Sequence, residues 1–239
     1  MNLAIDAGNT LTKIGIFEGA TLTQKKVFTS LGEARDFIVD LHADNAILSS
    51  VVGESYPPEL HQSISGRFLV LSPKLPLPLV NRYATPQTLG ADRIAAACGA
   101  WSLFPGESSL AIDCGTCINY EHVNREGHYL GGVISPGVAM RFRAMHSLTE
   151  RLPMGSAIES AELTGTSTLE CLESGVMNGT LEEIKGIIAR YRHDDPGIRV
   201  ILTGGDARFF EKPLKPFIFV APELVLTGLN SILLHNVLN

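Results

Sequence analysis

Leu3-Ala4-Ile5-Asp6-Ala7-Gly8-Asn9-Thr10-Leu11-Thr12-Lys13-Ile14-Gly15-Ile16-Phe17 runs from an apolar strand into a carboxylate, through a glycine turn, and back along a second apolar strand. Such a turn suits a phosphate. Glycine lets the backbone approach an anion closely, neighbouring amides and the Thr10 hydroxyl can donate to its oxygens, and Asp6 can hold a cation or that cation's water shell. A single Asp beside a Gly is also a common strand end, so one copy decides little. The pattern occurs twice, however. Leu110-Ala111-Ile112-Asp113-Cys114-Gly115-Thr116 repeats it, with Cys117 to Val123 as the return strand. Two such hairpins are what a two-lobed nucleotide clamp needs, one loop from each lobe facing the phosphates across a cleft. The expectation is an ATP-dependent phosphotransferase.

A third segment fits that clamp. Val200-Ile201-Leu202 reads as a buried strand running into Thr203-Gly204-Gly205-Asp206-Ala207 and a helix start. Backbone without side chains at Gly204 and Gly205 would admit an adenine or ribose; the alternative is a plain strand-to-helix turn capped by Asp206.

Outward from these turns the pattern is that of an α/β protein. Strands are expected at 3–5, 13–17, 22–29, 46–52 and 68–71, with helices at 31–41 and from Pro57. This βββαβα order is that of a ribonuclease-H-like lobe. Pro73, Pro76, Pro78 and Pro86 mark an irregular passage before an Ala-rich helix from Ala91 to Phe104, which Pro105-Gly106 closes. The expected lobes are therefore residues 1–106 and 107–239. In the second, a hairpin turns at Asn124-Arg125-Glu126-Gly127 and Pro136-Gly137 opens a helix. Further amphipathic helices are expected at 182–191 and 223–238.

The acceptor side centres on Asn81 to Arg93. Asp92 and Arg93 open a helix, where Asp92 is either a favourable first-turn carboxylate or a general base beside an alcohol. Arg93 offers a planar fork for a carboxylate or carbonyl, or a surface salt bridge. Gly165-Thr166-Ser167-Thr168 supplies hydroxyls before another helix, one of them expected as its cap.

Taken in order, Asp6 to Lys13 (DAGNTLTK), Gly90 to Arg93 (GADR), Asp113 to Thr116 (DCGT), Gly131 to Gly137 (GGVISPG), Leu152-Pro153 and Thr203 to Ala207 (TGGDA) make the sequence resemble the type III pantothenate kinases. These belong to the acetate kinase, sugar kinase, Hsp70 and actin superfamily. GADR between the two phosphate loops is the most specific mark, since the other turns fit the whole superfamily. The resemblance implies two ribonuclease-H-like, actin-like ATPase lobes with a nucleotide cleft between them. It also implies transfer of the ATP γ-phosphoryl group to the 4′-hydroxyl of pantothenate, the first step of coenzyme A biosynthesis. Asp6, Ala7, Gly8, Asn9, Thr10, Leu11, Thr12, Lys13 and Thr116 then fall at ATP, with Asp6 also orienting Mg²⁺ and its waters. Asp113 falls at a monovalent cation, K⁺ or NH₄⁺. Asp92 matches the proton acceptor, and Tyr83, Gly90, Ala91, Asp92, Arg93 and Thr168 match the substrate contacts. A homodimer is implied as well. After Thr116 the family's pattern has a Thr and an Asp where this chain has Asn119 and the longer Glu121.

Composition is compatible with this and narrows little else. The chain has 239 residues, 45% hydrophobic and 18% charged, enough for the cores of two ordinary lobes. A net charge of −6 with scattered basic residues leaves no footprint for nucleic acid. No apolar run approaches the ~20 residues of a membrane helix, and Asp6 interrupts the apolar N-terminal run, so neither anchor nor signal peptide is expected and a cytoplasmic location is. Of Cys98, Cys114, Cys117 and Cys171, the Cys114/Cys117 pair has metal-like spacing, but no second pair completes a zinc site. These two are expected to be small packing residues. A kinase of another small hydroxy acid or sugar, or a nucleotide-binding regulatory protein, remains open on the residues alone.

Overall fold

The computed structural model describes residues 1–8, 10–50 and 56–238; Asn9 and the end of the strand expected at 46–52 lie outside them. In chain order the elements begin β1 (Asn2–Ala7), β2 (Thr12–Glu18), β3 (Thr21–Phe28), α1 (Leu31–Asp40), β4 (Asn45–Ser50), α2 (Pro58–Gln62), β5 (Phe68–Val70), β6 (Val80–Asn81) and α3 (Ala91–Leu103). They continue with β7 (Ser109–Cys114), β8 (Cys117–Val123), β9 (His128–Pro136), α4 (Val138–Ser147), α5 (Thr168–Asp194), β10 (Arg199–Thr203), α6 (Ala207–Leu214), β11 (Phe219–Val220) and α7 (Leu224–Leu238). No helix among the described residues is long and apolar enough to cross a membrane.

Residues 1–106, 123–130 and 223–239 form one compact unit. Its sheet has the order β3-β2-β1-β4-β5, antiparallel from β3 to β1 and parallel from β1 to β5. Strand alternation sorts β1 and β4 onto two faces. Leu3, Ile5, Ala46 and Leu48 join a core with Ala34 and Ile38 of α1 and Leu60 of α2. Ala4 and Ile47 face the other way, into a core with Ile94, Ala95, Ala97 and Cys98 of α3 and Leu226, Leu229 and Leu233 of α7. Chain order alone places α7 with the second lobe; its apolar face packs in the first. The helices pack closely because glycines meet there, for a Cβ on Gly228 would overlap the carbonyl oxygen of Ala95 and one on Gly99 that of Leu224.

The other unit, residues 107–122 and 131–222, repeats the plan. The strand order β9-β8-β7-β10-β11 matches β3-β2-β1-β4-β5 position for position, with β10 parallel to both β7 and β11. Its core joins Leu110 and Ile112 of β7, Val200 and Leu202 of β10, Phe142 of α4, Ile184 and Ile188 of α5 and Phe210 of α6. Both units thus have the ribonuclease-H-like arrangement.

The structure differs from the sequence expectations in three elements. The helix expected at 182–191 is the C-terminal part of α5, which starts at Thr168. A capping box between Ser167 and Glu170 launches it, and Gly175 and Gly179 inside it weaken the apparent pattern without breaking the helix. The proline-rich passage contains the two-residue β6, which pairs in parallel with His128 and Tyr129, and a 3₁₀ turn at Pro86–Thr88. β11 was too short to stand out from its surroundings.

Candidate active site

In the first unit the turn after β1 is closed by the Gly8 amide donating to the Leu11 carbonyl at 3.1 Å. Strand register then sets the neighbours of Asp6: Lys13 of β2 on one side and Ser49 of β4 on the other. By alternation these three side chains share the α3 and α7 face, at the end of β1 where the chain enters the turn. Asp6 is only 9% exposed. Burial pushes its carboxyl up to about 6, Lys13 opposes that rise, and Asp92 adds to it. The negative charge of Asp92, at the start of α3, is near enough to disfavour the ionised form of Asp6.

α3 begins after Gly90 with no side-chain cap. Asp92 sits in its first turn and accepts from the Arg93 amide at 2.9 Å. Arg93 is not a surface residue, being 7% exposed. Its guanidinium lies 5.4 Å from the centroid of the Tyr83 ring, and Nη1 donates to the Tyr83 hydroxyl at 3.5 Å. Tyr83 in turn rests near Tyr129, with centroids 6.1 Å apart. Tyr83 and the start of α3, separated by the 3₁₀ turn, are thereby brought into contact. Beside them lies a small apolar recess of about 50 Å³ lined by Leu71, Pro73, Leu77, Pro86, Leu89 and Ile94. The sequence marked its prolines only as helix breakers.

In the second unit Asp113 occupies on β7 the place that Asp6 has on β1, with Thr203 of β10 in register beside it. The turn closes through the Gly115 amide and the Cys117 carbonyl at 3.0 Å, and the Gly137 amide donates to the Thr116 carbonyl at 3.1 Å. Gly137 has no room for a Cβ, which would overlap the carbonyls of Gly115 and Thr116. The Asp206 amide donates to the Cys114 carbonyl at 2.9 Å, drawing the glycine pair beside Asp113. The two glycines then differ. Gly204 has φ +96° and a Cβ there would overlap Asp113 and the Cys114 carbonyl, whereas a Cβ on Gly205 meets open space. Asp206 makes no side-chain cap to α6, so the capping alternative fails on geometry. Burial raises its carboxyl and Arg208 opposes the rise.

At the start of α5 the cap is Ser167, whose hydroxyl accepts from the Glu170 amide at 3.3 Å while Glu170 accepts from the Thr166 and Ser167 amides. Thr168 follows it, exposed. Glu121 is fully buried on β8, on the opposite face from Ile118 and Tyr120; burial raises the Tyr191 hydroxyl and the charge of Glu121 adds to that rise. Cys114 is buried and free, Cys117 free and half-buried; burial pushes the Cys114 thiol far up, which suits packing and not nucleophilic chemistry.

The oxygen chemistry of this set fits a magnesium-nucleotide complex. Among the described residues, no group of three or more His, Cys, Asp or Glu is placed to hold a metal ion. Mg²⁺ in nucleotide enzymes is instead held by one or two carboxylates together with phosphates and water, and Asp6 with Asp92 nearby supplies such an edge.

The sequence profile of the family described as Type III pantothenate kinase matches residues 2–190. A Type III pantothenate kinase of Cytophaga hutchinsonii is 43% identical over 237 residues, covering 99% of this chain and 100% of the relative. Among solved structures, a protein described as a Baf family transcriptional activator from Campylobacter jejuni superposes with a TM-score of 0.65 at 21% identity, covering 99% of this chain and all of that one. The activator of 2-hydroxyisocaproyl-CoA dehydratase from Clostridium difficile, solved with bound ADPNP, gives 0.56 at 12% identity over 98% and 93% of the two chains. These two likenesses concern the fold, which is that of the actin-like ATPases. Identity at the level of the Cytophaga relative, sustained along both chains, is decisive, and the chain belongs to the type III pantothenate kinase family.

Proposed function

We propose that the residues assembled here carry out the family's reaction on this chain, transfer of the ATP γ-phosphoryl group to the 4′-hydroxyl of pantothenate. The products are 4′-phosphopantothenate and ADP, and the step opens coenzyme A biosynthesis. The observation that carries this is the start of α3, where Asp92 reaches the field of Asp6 while Arg93 is buried against Tyr83.

Asp92 accepts the hydroxyl proton as the acceptor oxygen bonds to phosphorus and the bond to the ADP oxygen breaks. The transition state of phosphoryl transfer is loose, so positioning and charge dominate and proton removal contributes less. Arg93, held by Tyr83, presents its fork to a substrate carbonyl or carboxylate. Gly90 and Ala91 let the substrate approach the helix start, and Thr168 supplies a hydroxyl to it. Ala7 to Lys13, with Thr116, Gly204 and Gly205, bind ATP, and Lys13 offsets charge beside Asp6. Mg²⁺ supplies charge neutralisation on the phosphates, and Asp6 is the residue that orients it. Asp113 holds K⁺ or NH₄⁺. The active form is a cytoplasmic homodimer.

The test is ADP release with pantothenate against a panel of small hydroxy acids and sugars, in sodium-only and in potassium buffers. Turnover is expected with pantothenate and higher in potassium. Equal rates in both buffers remove the cation from Asp113. Turnover with another acceptor alone overturns the substrate, and none with any acceptor leaves the regulatory alternative.

A further inference from the structure

Asp6 has a neighbour that no sequence pattern marked. Ser49 stands in register with it on the parallel strand β4, and the alternation that sends Ala46 and Leu48 to the α1 core turns Ile47 and Ser49 to the face of Asp6. The Ser49 hydroxyl is completely buried and has no hydrogen-bond partner among the described residues. A buried hydroxyl left unpaired is costly, and alanine would fill a strand position beside Ile47 without that cost. Such a group calls for a partner that comes and goes. Ser109, Thr180 and Asn230 also carry unpaired buried atoms, but strand register sets Ser109 beside Arg199, whereas it sets Ser49 beside the turn carboxylate Asp6.

The second unit repeats the pairing independently. There Thr203 of β10 is in register with Asp113 of β7, so each unit sets a hydroxyl residue beside its turn carboxylate on the adjoining parallel strand. Thr203 differs in having a partner, the Pro222 carbonyl at 3.4 Å. Ser49 is covered completely, so its effect on a ligand is indirect, and Asp6 is its neighbour in register.

We propose that Ser49 is a positioning residue: its hydroxyl turns to donate to the Asp6 carboxylate when the magnesium-nucleotide complex binds, holding that carboxylate in its working orientation. The proposal rests on the assignment of Asp6 made under the proposed function.

The experiment is calorimetric titration of wild-type protein and Ser49→Ala with adenylyl imidodiphosphate, with Mg²⁺ and with EDTA, alongside thermal melts of both proteins without ligand. Ser49→Ala should melt at the wild-type temperature or above it, because an unpaired hydroxyl has been removed. Its affinity in EDTA should equal that of wild type, and its affinity with Mg²⁺ should fall about tenfold, a loss of one charge-assisted hydrogen bond. Equal affinities with Mg²⁺ overturn the proposal. So does a lowered melting temperature with equal weakening under both conditions, which is the signature of a packing role. A wild-type affinity that ignores Mg²⁺ overturns the Asp6 assignment itself, and the proposal with it.

Discussion

At the scale of single residues, Asp6 carries a charge that the fold disfavours. Its carboxyl lies at about 6 in the folded protein against 3.8 as the ordinary value. Below 3.8 both folded and unfolded chains hold the proton and Asp6 costs nothing. As the pH rises through 6 the folded chain must bury an ionised carboxylate, and about 3 kcal/mol of stability is lost. In EDTA without nucleotide, Asp6→Asn should therefore melt above wild type at pH 8, with the gap narrowing towards pH 5, while turnover falls sharply. A variant no more stable than wild type at pH 8 would contradict the burial argument. Asp92 and Arg93 divide the chemistry differently. Asp92→Asn should lower kcat far more than it changes the pantothenate KM, whereas Arg93→Ala should chiefly raise that KM. Arg93→Lys should rescue poorly, since an ammonium neither forks nor stacks on Tyr83 as a guanidinium does. Near-normal kcat in Asp92→Asn at saturating substrates would return Asp92 to a helix-start role. The sequence marked Asp92 and Arg93 because their chemistry is local to one helix start. It could not tell a surface arginine from a buried one, since burial depends on Tyr83 and the chain that packs behind it.

At the scale of elements, two pairs of adjacent residues separate structural from functional work. Gly204 is confined by its positive φ and by Asp113, so Gly204→Ala should lower the melting temperature markedly. Gly205 faces open space, so Gly205→Ala should keep the wild-type melt and raise the KM for ATP; an unchanged KM would sink its nucleotide role. At the start of α5, Ser167→Ala breaks the capping box and should cost about 1 kcal/mol of stability. Thr168→Ala should leave stability alone and raise the pantothenate KM, and thermal melts paired with steady-state kinetics distinguish the two. Both glycines share one dipeptide in the sequence, and only the strand beside them distinguishes their duties.

At the scale of the whole molecule, α3 and α7 come from distant parts of the chain and approach closely through Gly99 and Gly228. Gly228→Ala should destabilise the first unit by about 1–3 kcal/mol, because the added methyl has nowhere to go. Gly175→Ala, at an exposed position of α5 where a Cβ meets nothing, should stabilise by about 0.5–1 kcal/mol. Thermal melts decide both, and a Gly228→Ala protein as stable as wild type would show that the helices can part without cost. The sequence by itself determined the apolar strands, the two Asp-Gly turns and the helix start that carries Asp92. Each follows from side-chain alternation, glycine's backbone freedom or first-turn preferences, which act within a few residues. Only the tertiary structure decided that Ser49 stands beside Asp6, that Arg93 is buried against Tyr83, and that the last helix packs in the first unit. Strand register and helix docking are set by which distant surfaces exclude water together, and no short stretch of chain contains that information.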